Sequence, residues 1–139
     1  MNLSPHMQKI FIDEINFVIK SMKNTNMPGD KLYFLSAVYG MAQRIINLEY
    51  DPELNFIQQV VQLVYNMVNA RLAALSARQE VGISIPDHLF ERLEEALQEM
   101  ADTIVRGEQS YPALQKMVNL AYTTTGNGYY LYLKGIIPV

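Results

Sequence analysis

The sequence predicts an all-α fold: a single-domain bundle of about five helices with a long central helix, ending in a small hairpin or an irregular tail. Three observations predict it. Apolar residues recur at steps of three and four from Met7 to Tyr122. Prolines sit just after capping residues, as in Ser4-Pro5 and Asp51-Pro52, where the first helical position needs no N–H partner. Half of the 139 residues are hydrophobic and 18% are charged, enough apolar surface for one core in one domain spanning residues 1–139.

The first helix opens with Ser4 as cap and carries Met7, Phe11, Ile15, Val18 and Met22 on one face, widened by Ile12, Phe17 and Ile19. It ends in the polar run Asn24-Thr25-Asn26, and Pro28-Gly29 is read as a turn. Asp30 is the expected cap of a second helix, whose face holds Leu35, Val38, Tyr39, Ala42, Ile45 and Ile46, flanked by Phe34, Met41 and Leu48. Gly40 inside that helix costs about 1 kcal/mol against alanine, so a close backbone crossing is expected there.

Asp51-Pro52-Glu53 combines a cap, a proline and an acid at the positive end of the dipole. No further proline or glycine occurs before Gly82, so about 28 residues, or ~42 Å, are expected to form the central helix. Phe56, Ile57, Val60, Val61, Val64, Met67, Val68, Leu72 and Leu75 make its stripe. Gln59, Gln62, Asn66, Asn69 and Arg71 are expected to face outward or toward a second subunit.

After a restart with a cap at Ser84 or Ile85, the fourth helix has the cleanest amphipathic pattern. Leu89, Phe90, Leu93, Ala96, Leu97, Met100, Ala101, Ile104 and Val105 lie opposite Glu91, Glu94, Glu95, Glu99 and Asp102, with Arg106-Gly107 as the stop. A fifth helix starts near Ser110 to Pro112 and points Leu114, Met117, Val118, Ala121 and Tyr122 inward. Residues 123–133 read either as a hairpin turning at Gly126-Asn127-Gly128 or as a broken helix, and Gly135-Ile136-Ile137-Pro138-Val139 is apolar enough to dock.

A formal net charge of −3 argues against nucleic acid as a partner, because neutralising phosphates needs surplus Lys and Arg. Without cysteine there are no disulfides, thiolate nucleophiles or sulfur-ligated metals. No run approaches the ~18 apolar residues of a membrane span, and the first residues lack a signal-peptide pattern, so a cytoplasmic location and no membrane partner are expected. The apolar excess points to burial against a second copy, a homodimer.

His6 and His88 are the only imidazoles, and neither has the glutamate three residues earlier that di-iron bundles use. No catalytic residue, metal or cofactor is therefore expected, and the reading leans against an enzyme. The pairs Glu91-x-x-Glu94 and Glu99-x-x-Asp102 resemble the paired carboxylate motifs of all-α nucleotide pyrophosphohydrolases. That resemblance implies a carboxylate- and magnesium-dependent hydrolase. Here, though, both pairs share one helix, where such enzymes bring them from two. The plainer reading is a solvated acidic face, with Asp102 and Arg106 as an i,i+4 pair.

Nine tyrosines remain, and their faces suit interfaces or the caging of a small organic cation such as a polyamine. Tyr39, Tyr65, Tyr122, Tyr129, Tyr130 and Tyr132 are the candidate ligand-binding residues, in a pocket between helices or subunits. Protein association through a homodimer is the first expectation, and cation binding the second.

Overall fold

The computed structural model describes residues 1–76, 88–125 and 135. Within them lie five helices and no strand: α1 (Pro5–Lys23), α2 (Pro28–Leu48), α3 (Pro52–Ser76), α4 (His88–Val105) and α5 (Tyr111–Thr124). Helix α2 packs on α1 and α3, α4 packs on α1 and α5, and α3 packs on α5, which closes a ring. One apolar interior fills it. Phe11, Ile15, Met22, Leu35, Leu54, Ile57, Leu93, Leu97, Met100 and Leu114 are fully buried there.

Contacts at the helix ends fix the directions. Ser110, just before α5, donates its N–H and hydroxyl to Glu53 at the start of α3, so these two helices run parallel. Gln8 near the start of α1 donates to the carbonyl of Ile104 near the end of α4, so that pair is antiparallel.

Most of the predicted starts and stops are present. The Ser4 hydroxyl accepts from the Met7 N–H, and the Asp51 carboxylate accepts from the Leu54 N–H at 2.9 Å. Helix α4 stops with Gly107 at φ 75°, where the Glu108 N–H reaches the Thr103 carbonyl and the Gly107 N–H reaches that of Ile104. This pair of bonds satisfies carbonyls that the last turn leaves open, and glycine adopts the left-handed conformation without a steric cost.

Other expectations are corrected. Pro28 and Gly29 are not a turn but the first residues of α2, and Met27 rather than Asp30 holds the cap position. Proline's fixed φ suits that first position. Asp30 instead lies in the first turn, where it accepts from the Thr25 hydroxyl at 3.2 Å. Among the described residues no backbone crosses at Gly40: a methyl group added there would meet none of their atoms within 4 Å. Arg71, expected outside, is buried. Phe17, Leu48, Val105 and Tyr122 belong to the predicted stripes by spacing but are exposed, since each sits at a stripe edge or a helix end. Arg106 lies past the end of α4 and pairs with Glu108 at 3.3 Å, while Asp102 accepts from Gln98.

Thr123 and Thr124 continue α5, so the hairpin does not begin there. Their buried hydroxyls donate to the Leu120 carbonyl, which removes the cost of burying them in the helix. The Gly126-Asn127-Gly128 turn, the restart at Ser84 or Ile85, the last part of the predicted central helix and the tail from Ile136 lie outside the described residues.

Candidate functional site

Two of the candidate tyrosines meet. Tyr39 on α2 and Tyr65 on α3 are half-buried and stack edge to face, with centroids 5.5 Å apart and rings at 64°. Burial, and then the neighbouring Tyr65, raises the pKa of Tyr39 above its ordinary value. This geometry is that of packed interhelical aromatics. Tyr122 stands on α5, 48% exposed, and Tyr129, Tyr130 and Tyr132 lie outside the described residues. Neither Tyr39 nor Tyr65 lines the two surfaces described next.

The first surface is apolar and lies between the parallel helices α3 and α5. Phe56, Val60, Leu63 and Met67 follow one another at steps of four, three and four on α3, which places them on one face. Tyr111, Leu114, Val118 and Tyr122 follow at steps of three, four and four on α5, which again places them on one face. Phe56 and Tyr111 meet edge to face at 5.4 Å, at the end where Glu53 anchors Ser110. A groove of about 650 Å³ runs from there past Pro52, Val60, Leu114, Gln115 and Val118. Phe56 is 43%, Leu63 40% and Tyr111 40% exposed.

Among the described residues this face also lacks charge. Residues 54–70 of α3 contain no Asp, Glu, Lys or Arg. The only charged residue of α5, Lys116, turns toward α4 and pairs with Glu99 at 2.8 Å.

The second surface is polar and runs along α4. A groove of about 710 Å³ is lined by Glu91, Glu94, Glu95, Gln98, Glu99, Asp102 and Arg106. Lys23 and Asn26 from the end of α1 and Lys31 from the start of α2 complete it. Among the described residues five carboxylates therefore share it with three cations.

Glu94 overturns the expectation of a wholly solvated acidic face. It is 5% exposed, and its Oε1 accepts no hydrogen bond. The Lys31 ammonium lies 4.0 Å from that oxygen but donates to the Met22 carbonyl. Desolvation raises the Glu94 pKa above the ordinary carboxylate range; Lys31 and Lys23 pull it down, and Glu91 and Glu95 push it up. The sequence held one signal of this. Glu94 precedes the buried Ala101 by seven residues, a separation that returns to within about 20° of the same helix face.

The carboxylates do not fit the magnesium site that the resemblance to pyrophosphohydrolases implies. Among the described residues no three carboxylates or imidazoles come close enough together to hold a metal ion. His6 is exposed, at the first turn of α1, and His88 is half-buried at the start of α4, away from it along the chain. Among the described residues no helix is long and apolar enough to cross a membrane. The chain matches no protein-family model, no curated protein and no solved structure.

Proposed function

We propose that this protein is a non-enzymatic association module whose partner is a second copy of itself, docked through the α3–α5 face. The observation that carries this reading is the uncharged apolar stripe shared by the two parallel helices, on which Phe56, Leu63, Tyr111 and Tyr122 are exposed. In a two-fold dimer each residue near the axis meets its own copy or a near neighbour. A charged face would then set like charges against each other. Residues 54–70 avoid that, in a chain with 25 charged side chains elsewhere (11 basic and 14 acidic). Phe56 and Tyr111 supply the flat aromatic anchors that interface centres favour.

Sedimentation of the purified chain at micromolar concentration tests this. The wild type is expected to run as a dimer, and Leu63→Glu as a monomer with unchanged helical circular dichroism. Leu63 is exposed enough for the fold to accept the change, while two glutamates at a two-fold contact repel. A wild-type monomer, or a Leu63→Glu dimer, rejects the assignment.

A further inference from the structure

We infer that the groove along α4 binds a linear polyamine, with Glu94 as the buried acceptor for one of its ammonium groups. A row of surface acids is ordinarily a solvated face. Glu94 is what sets this one apart. Its side chain is 94% removed from solvent, it lines the groove, and its Oε1 has no hydrogen-bond donor. A buried carboxylate oxygen without a donor carries a desolvation cost that a charged donor from a ligand would offset.

The surroundings specify the class of cation. Among the described residues Glu91 and Glu95 make no ion pair, and they flank Glu94 one helical turn apart. Four residues of helix rise about 6 Å, close to the separation of two ammonium groups joined by three or four methylenes. The acids are strung along the helix and do not converge on a point, as a metal ion requires. A flexible chain carrying several separated ammoniums matches that layout, and its methylenes can lie along the groove wall as lysine stems do.

The cations of the groove leave this arrangement open. Lys31 is tied to the Met22 carbonyl, and Arg106 is held by Glu108. Lys23, at the end of α1, is the remaining cation among the described residues of the wall. The groove lies on α1, α2 and α4, so it is separate from the apolar face of α3 and α5, and both surfaces can be occupied at once.

Isothermal titration of the full chain with spermidine, at 0.1 M sodium chloride, tests the assignment. Saturable binding is expected, weakened about tenfold or more by Glu94→Gln, as befits loss of a charge-assisted hydrogen bond. Glu14→Gln removes the same charge from α1 outside the groove and is expected to leave the affinity unchanged. The amide is isosteric and removes a buried charge, so Glu94→Gln folds; a melting curve checks this. No saturable heat, equal weakening by both variants, or magnesium chloride competing as well as it would for a diffuse ion atmosphere each overturns the proposal. Because Leu63→Glu lies on the other surface, loss of dimerisation and loss of spermidine binding are read separately.

Discussion

Glu94 shows how one side chain can depart from the pattern that its neighbours obey. By spacing it belongs with Glu91 and Glu95; by position on the helix it lies at the edge of the apolar stripe, and its side chain is buried beside Lys31. Its raised pKa has a signed consequence. Between the ordinary glutamate value and the raised one, the folded protein holds a proton that the unfolded chain has released. Stability contributed by this residue therefore falls as pH rises through that window. Above that window the buried charge is a net cost, relieved only in part by Lys31 at 4.0 Å and by Lys23, and deepened by Glu91 and Glu95. Glu94→Gln is expected to melt higher than the wild type at pH 7 and to converge with it below the ordinary glutamate value. Melting curves across that range check this, and a lower midpoint for the variant at pH 7 refutes it.

At the scale of the helix, the legible features were those with a local cause. Ser4, Asp51 and Gly107 act within four residues of themselves, so their capping roles could be read directly. The apolar faces of α1 and α4 were legible for a related reason, since a period of 3.6 places core residues without knowledge of the neighbour. Features decided by other helices were not. Leu3, Leu32 and Leu54 are buried beyond the ends of the obvious stripes. The carboxylates of Glu49, Asp51 and Glu53 collect backbone and hydroxyl donors from Ser4, Asn2 and Ser110, which lie at least 45 residues away along the chain.

Gly40 is the clearest misreading, and it yields a prediction. Its usual reason inside a helix is a close contact, but among the described residues nothing approaches it and its backbone is helical. Gly40→Ala then removes conformational freedom from the unfolded chain without a clash. It is expected to stabilise by about 0.8–1.0 kcal/mol, the helix-propensity difference. Chemical denaturation measures that difference, and a destabilised variant refutes the reading of open space beside Gly40.

The whole molecule divides its surface by chemistry. Among the described residues, the face shared by α3 and α5 is apolar, with no charged residue between 54 and 70 of α3; the groove along α4 gathers five acids and three bases. Of the candidate tyrosines, Tyr39 and Tyr65 meet edge to face between α2 and α3. Composition disclosed the apolar excess and the acidic helix, but not which helices would end up side by side. That depends on ring closure through Glu53 and Ser110, 57 residues apart.

The division makes salt a discriminating variable. Raising sodium chloride from 0.1 M to 1 M shortens the screening length from about 10 Å to about 3 Å. Attraction between an exposed carboxylate row and a polyamine is weakened by that change, whereas burial of apolar surface is not. Dimerisation through α3 and α5 is therefore expected to persist across the whole range, and replacement of chloride by sulfate is expected to strengthen it. Spermidine affinity is expected to fall steadily over the same interval. Sedimentation and titration on one preparation give both curves. If the dimer dissociates as salt rises, its contacts are ionic and the uncharged face is not the one that joins the two copies.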